Sequence, residues 1–375
     1  MNRREAIKGL AAISAGGILL KDMPAAGSPT LDTSNVPGEL PHVGFHNIAG
    51  FVPIAGGGWR MSRVPVALVK ELNEGAQRRA WSPAGAEFRF NLGEGEARVV
   101  VRAVENRGPA ARSLPILAEI HQGDFYTRWV EIGYDWTEIV VRKPDNIDLL
   151  KRARSAAPRR FDTDLIRVVL PYLPDVELLR IDGDVSPPRE EQVPSRRFLA
   201  YGSSITNGAF ATRPGDLYPA RIARELGVDH FNIGLGGGAH LEAGIADWIA
   251  GRTDWDFATL ELGINVVGRL EPAEFERRVE YFLSRLVEKH PGKWLVCVDM
   301  FTARGDFEGN PRYPVFRAIV RDAVKRRTSA KIVHCDGRDL LKDPAGLTLD
   351  LTHPSSNGFE QIARNLTGVI RPLIS

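Results

Sequence analysis

Only two cysteines, Cys297 and Cys335, occur in the 375 residues of this chain. That excludes a disulfide scaffold and a four-cysteine zinc site. Both lie in apolar, strand-like runs and read as small buried hydrophobes. An excess of charge is equally lacking: 49 Lys and Arg against 47 Asp and Glu leave a net charge of +2, no electrostatic footprint for an obligatory nucleic-acid partner. No apolar run reaches the roughly 20 residues that a membrane-spanning helix needs. No His-Glu-x-x-His or comparable ligand cluster is present, so no metal is implied. Neither a P-loop Lys-Ser/Thr nor the Gly-x-Gly-x-x-Gly spacing accompanies the glycines, and no cofactor is called for. The Gly-x-Ser-x-Gly elbow of α/β-hydrolases is missing too, because position 206 is Thr.

What is present starts with a targeting pattern. Arg3 and Arg4 precede an apolar stretch of about a dozen residues, Gly9 to Leu20, followed by Lys21 and a Pro/Ala/Gly/Ser segment. This reads as a secretory signal of the twin-arginine type over residues 1–27, removed on export to the periplasm or the exterior. The remaining length predicts two domains.

From about residue 40 to 185 the pattern is β-like. Ala86-Glu-Phe-Arg-Phe-Asn-Leu92 alternates apolar and polar residues, and similar runs at 97–104, 129–133, 136–141 and 165–181 are separated by turn residues. Short alternating runs predict an antiparallel sandwich of jelly-roll type. Trp59, Trp81, Trp129 and Trp136 read as core or edge packing rather than sugar platforms. The cluster Lys151, Arg152, Arg154, Arg159 and Arg160 reads as a solvated loop.

A Pro-rich polar linker, 184–195, precedes a change of rhythm. Strands are expected at 197–201, 230–233, 257–262, 293–299 and 331–335. Helices are expected near 216–226, 239–250, 272–288, 313–325 and 356–370. Such alternation over 195–375 predicts a parallel sheet of about five strands covered by helices on both faces.

The chemistry-bearing residues fall where those strands end, the edge at which α/β folds place their sites. Phe198-Leu-Ala-Tyr-Gly-Ser-Ser-Ile-Thr-Asn-Gly208 delivers Ser204 at the first strand end. A serine needs a base, and Asp350-Leu-Thr-His353 supplies one: His353 to take the proton, Asp350 to orient the imidazole. Asn232-Ile-Gly-Leu-Gly-Gly-Gly-Ala-His240 leaves the second strand through glycines whose N–H groups can approach a ligand. Leu262-Gly-Ile-Asn265 leaves the third with a side-chain amide. One glycine N–H, the Ser204 N–H and the Asn265 amide can surround a developing oxyanion. The strand-end positions of His240 and of loop 301–312 place them at the border of an acyl or alcohol pocket.

The order Gly-x-Ser, Asn-x-Gly-x-Gly-Gly, Gly-x-Asn, Asp-x-x-His resembles the SGNH (GDSL-type) hydrolases, whose fold is a flavodoxin-like three-layer α/β/α sandwich. The resemblance implies Ser204 as nucleophile, Gly237 and Asn265 as oxyanion donors, and Asp350 and His353 as the acid/base pair. Two positions depart from the family pattern, with Ser203 where an aspartate is usual and Val266 where one often follows the asparagine. Gly-Asp-Leu-Tyr-Pro219 and Gly-Gly-Ala-His-Leu-Glu242 look more like the subgroup that carries an N-terminal β-sandwich and contains sugar-ester hydrolases and an acyltransferase. The expectation is an exported serine esterase acting on short acyl, above all acetyl, esters of a carbohydrate. Acyl transfer to an alcohol and non-catalytic glycan binding stand as alternatives.

Overall fold

The computed structural model describes residues 36–38, 40, 43–107, 112, 114–155 and 160–375. The export signal expected over 1–27 and Arg159 lie outside these. No helix among the described residues is long and apolar enough to cross a membrane.

Among the described residues the N-terminal part holds eleven strands: β1 Gly44–His46, β2 Gly50–Pro53, β3 Trp59–Ser62, β4 Glu87–Leu92, β5 Glu96–Val104, β6 Leu117–Gln122, β7 Phe125–Glu131, β8 Thr137–Arg142, β9 Leu165–Val169, β10 Asp175–Asp182 and β11 Val185–Ser186. They pair antiparallel in two sheets, β1-β4-β9-β6-β7 with β11 on β4, and β2-β3-β10-β5-β8. The period-2 alternation explains why. In β4, Phe88, Phe90 and Leu92 meet Val99, Val101 and Leu178 from the other sheet in one core.

The polar face of the first sheet is buried rather than solvated. Glu87, Arg89 and Arg167 are all less than a tenth exposed. Arg89 donates a bidentate pair to Asp229 at 2.6 and 2.8 Å, and Arg167 donates to Glu87 at 2.8 Å. A charge so buried is costly unless it is paired, and these three are. The cluster read as a solvated loop also differs: residues 147–155 form a helix, and Arg154 and Arg160 both lie 3.3 Å from Asp124 with side chains mostly covered. Trp81 and Trp136 each sit 4.4 Å beneath a guanidinium, of Arg60 and Arg102 respectively, whereas Trp129 is half-exposed. Nor is 184–195 a free linker, for β11 pairs with β4, and buried Gln192 exchanges hydrogen bonds with Asn91.

Two histidines share this buried layer. His46 stacks on Phe231 and bonds the His230 carbonyl at 2.7 Å. Burial drives both imidazoles down to about 4; Arg89 adds to this at His46, while Asp229 opposes it at both. Their folded-state values lie below the ordinary 6.5, so their contribution to stability is complete above pH 6.5 and drains away as pH falls toward 4. The shift corresponds to roughly 3 kcal/mol per ring. Asp229 and Glu87, held low chiefly by Arg89 and Arg167 against their burial, extend the loss to still lower pH. Thermal unfolding from pH 7 to 4 should therefore show a melting temperature that declines from about pH 6.5 onward. A flat profile down to pH 5 would contradict this.

The parallel sheet follows: β12 Arg197–Gly202, β13 Asp229–Gly234, β14 Phe257–Glu261, β15 Trp294–Val298 and β16 Ile332–Cys335, in the order β13-β12-β14-β15-β16. This is the flavodoxin-type order, with its switch point at β12. Helices Ala243–Gly251, Pro272–Lys289 and Arg312–Lys325 pack on one face, and Tyr218–Leu226 and Ser356–Ile374 on the other. The Pro272–Lys289 helix shows the cause: Phe275, Val279, Phe282, Leu283 and Leu286 form its one buried stripe. Two helices start later than expected. Pro214–Asp216 forms a 3₁₀ turn before Tyr218, and a positive φ at Leu241 delays the next helix to Ala243.

Candidate active site

β12 stops at Gly202, and Ser203 caps a single helical turn, Ser204–Asn207, by accepting the Ile205 N–H at 3.1 Å. Ser204 is thereby held at the first helical position. Beneath it lies the buried carboxylate of Glu261, at the end of β14, which accepts the Ser203 N–H at 2.6 Å and the Thr206 hydroxyl at 3.0 Å. Burial raises the Glu261 pKa, and the hydrogen bonds from Ser203 and Thr206 only partly oppose it. Ser203 stands where an aspartate is usual in the resembling family, and here the carboxylate under the turn comes from the neighbouring strand.

Ser204 Oγ lies 2.8 Å from His353 Nε2, and His353 Nδ1 lies 2.6 Å from Asp350 Oδ2. The other Asp350 oxygen accepts the N–H groups of Thr352 and His353 at 2.8 and 2.9 Å and the Thr348 hydroxyl at 2.9 Å. Burial pushes the Asp350 carboxyl up, yet the His353 ring and these N–H donors outweigh it and bring it down to about 2. A carboxylate so held stays ionised and accepts from Nδ1, which keeps the imidazole hydrogen there and leaves Nε2 free to accept. The ring of Phe210 packs 5.2 Å from the imidazole.

The glycine run folds onto the same point. Leu235 N–H donates to the Gly202 carbonyl at 2.8 Å, and Gly238 N–H turns back to the Leu235 carbonyl at 2.7 Å. Gly237 has φ +75°, a region that L side chains rarely adopt. Neither the Gly237 N–H nor the Ser204 N–H meets a protein acceptor among the described residues. Asn265 accepts the Ala239 N–H at 3.1 Å through Oδ1, which fixes its amide orientation and leaves Nδ2 without a protein acceptor there. The half-buried His240 ring has its pKa lowered by burial, its Nε2 makes no hydrogen bond among the described residues, and the His240 carbonyl accepts from Arg278 Nη1 at 2.9 Å. The structure thus joins Ser204, His353 and Asp350 in one hydrogen-bonded chain and ties Asn265 to the glycine run. It joins His240 to none of the three by a hydrogen bond. No group of three or more His, Cys, Asp or Glu side chains able to hold a metal ion is found among the described residues.

Residues of the N-terminal part reach this edge, and sequence reading missed them. Arg63, 2 % exposed, donates to the carbonyls of Ser82, Asn232 (2.6 Å), Arg79 (2.8 Å) and Gly234 (2.8 Å) and to Asn207 Oδ1 (3.0 Å). Burial lowers its pKa to about 9, against the pull of Asp175. Asn73 accepts the Ala76 N–H at 3.1 Å and donates to the Gly238 carbonyl at 2.9 Å, so the helix Glu74–Arg79 sits on the glycine run. A Cβ on Gly238 would collide with the Ala76 backbone. The Asn-Glu-Gly-Ala-Gln stretch at 73–77 carried a helix-start signal; Arg63, an arginine in a turn, carried none.

Residues 195–371 match the model of the GDSL-like Lipase/Acylhydrolase family. No curated protein matches the chain. Among solved structures, a salicylyl-acyltransferase, SsfX3, from a tetracycline biosynthetic pathway is similar at a TM-score of 0.72 and 18% identity, covering 88% of this chain and 95% of its own. A Bacteroides ovatus protein described as a GDSL-like lipase gives 0.63 at 20% identity, with 86% and 97% covered. A family two carbohydrate esterase from Clostridium thermocellum, solved with cellohexaose, gives 0.55 at 15% identity, with 78% and 93% covered. These likenesses concern the fold and extend beyond the parallel sheet into the antiparallel part. The family match thus spans the α/β segment 195–371, with Ser204 and His353 at its strand ends.

Proposed function

We propose that the protein is a serine esterase that removes short acyl groups, acetyl among them, from a carbohydrate after export from the cytoplasm. The observation that carries this reading is the hydrogen-bonded chain from Ser204 through His353 to Asp350 beside unused N–H donors. His353 Nε2 takes the Ser204 proton as Oγ attacks the acyl carbon, and the Ser204 N–H, the Gly237 N–H and Asn265 Nδ2 receive the oxyanion. The charged imidazole then protonates the departing sugar hydroxyl, and water repeats the sequence in reverse roles on the acyl-enzyme. The resemblance to carbohydrate esterases supports a sugar as the alcohol, and His240 is assigned to the border of its pocket.

Asn265→Ala should lower kcat for 4-nitrophenyl acetate by roughly 10²–10³-fold with little change in KM, because the lost donor acts on developing charge. An equal rise in KM with kcat preserved would remove Asn265 from the oxyanion site. A panel of acetylated sugars tests the substrate class. Release of acetate from none of them, alongside rapid turnover of aryl acetates, would overturn the carbohydrate assignment. A second reading, acyl transfer to an alcohol, is supported by the likeness to an acyltransferase over most of both chains. Product analysis with water and an added alcohol in competition separates the two: free acid identifies the esterase, a new ester the transferase.

A further inference from the structure

Arg79 ends the short helix Glu74–Arg79 and lies across the glycine run from Ser204. Measured from where a Cβ on Gly236 would stand, Arg79 Nε is 3.6 Å away and the Cα and Cβ of Ser204 are each 3.4 Å away. Its guanidinium makes one hydrogen bond among the described residues, from Nη1 to the Asn106 carbonyl at 3.3 Å, and no carboxylate pairs with it there. The acid that acts on it, Asp175, is already engaged by Arg60 at 2.6 Å and by Asn106. Burial depresses the Arg79 pKa, Asp175 opposes this, and Arg78 adds to it. Among the described residues, Arg63 next to it bonds only carbonyl and amide oxygens. Two guanidiniums with no carboxylate partner among the described residues thus line the wall behind the serine. A largely covered cation with no counter-ion is costly, and that cost falls when a ligand brings the negative charge.

We propose that Arg79 binds a carboxylate carried by the ester substrate close to its scissile bond. This rests on the esterase reading of Ser204 and names the substrate class more narrowly: an acidic ester rather than a neutral one. The carboxylate belongs either to the alcohol, as in a uronic acid, or to the acyl group, as in a dicarboxylic half-ester. The contribution comes from outside the matched segment 195–371, so the antiparallel part supplies a specificity element to the site.

Two matched pairs of esters test it. For the alcohol side, 4-acetoxybenzoate is compared with its methyl ester. For the acyl side, the mono-4-nitrophenyl ester of adipic acid is compared with 4-nitrophenyl hexanoate. The full-length protein should favour the charged member of one pair by ~10–100-fold in kcat/KM, the range of one charge-assisted hydrogen bond. That preference should shrink as salt is raised. R79Q should collapse the ratio toward one, and R79K should retain part of it. The pair that responds identifies where the carboxylate sits. Absence of a preference in both pairs, or a ratio that survives in R79Q, would overturn the proposal. If Ser204-dependent turnover of neutral esters persists in that case, only the Arg79 assignment falls. If no ester is turned over at all, the esterase reading falls with it.

Discussion

Ser204→Ala is expected to reduce kcat for 4-nitrophenyl acetate by roughly 10⁵–10⁶-fold, the loss seen when one member of a nucleophile–base unit is removed. His353→Ala should cost about as much. The double variant should cost little more than either, because a base with nothing to deprotonate contributes nothing. Asp350→Asn should be milder, roughly 10⁴-fold, since an amide leaves the geometry but favours the wrong imidazole tautomer. The three-way comparison is informative because the distances are short: 2.8 Å from Ser204 to His353 and 2.6 Å from His353 to Asp350. Single losses that multiply in the double variant would mean that the two side chains act independently, against the proposed mechanism.

Arg63→Met should destabilise the protein by about 3 to 5 kcal/mol, read as a fall in the denaturant midpoint. Methionine fills much of the space but donates nothing. The carbonyls of Asn232, Gly234 and Ser82 and the side-chain oxygen of Asn207 would then be stranded in the interior. Lysine is a poor substitute, because a compact ammonium cannot reach acceptors arranged around a planar fork. Activity should fall as well, since Gly234 leads into the glycine run and Asn207 closes the turn that begins at Ser204. A variant within about 1 kcal/mol of the wild type would show that these acceptors find other partners.

The parallel sheet was legible because its strands are continuous apolar runs between amphipathic helices, and the antiparallel part because Phe88 and Phe90 alternate with Glu87 and Arg89. The strand-end residues stood out for the same reason: a sheet with parallel strands has one carboxyl edge, and Ser204, the glycine run and Asn265 all fall on it. What could not be read was the fate of the polar face. Alternation says which side chains share a side, not whether that side meets water or a second layer, so the Arg89–Asp229 pair and the burial of His46 had no one-dimensional signature. Arg63 and Arg79 escaped for a related reason. Arg63 takes its meaning from acceptors such as Asn232 and Gly234, more than a hundred residues away, and Arg79 from its place across the glycine run from Ser204, whereas an arginine in a turn or at a helix end usually points to solvent. The carboxylate under the Ser204 turn was likewise hidden, because Glu261 ends a strand that otherwise reads as core.

The most direct measurement is the site of covalent modification. A fluorophosphonate should inactivate the protein with one adduct per chain, and fragmentation of the labelled peptide should place it on Ser204 rather than on its neighbour Ser203. The adduct should persist in Ser203→Ala and vanish in His353→Ala. Ester turnover that continues with Ser204 unmodified, or an adduct on any other residue that abolishes turnover, would contradict the account.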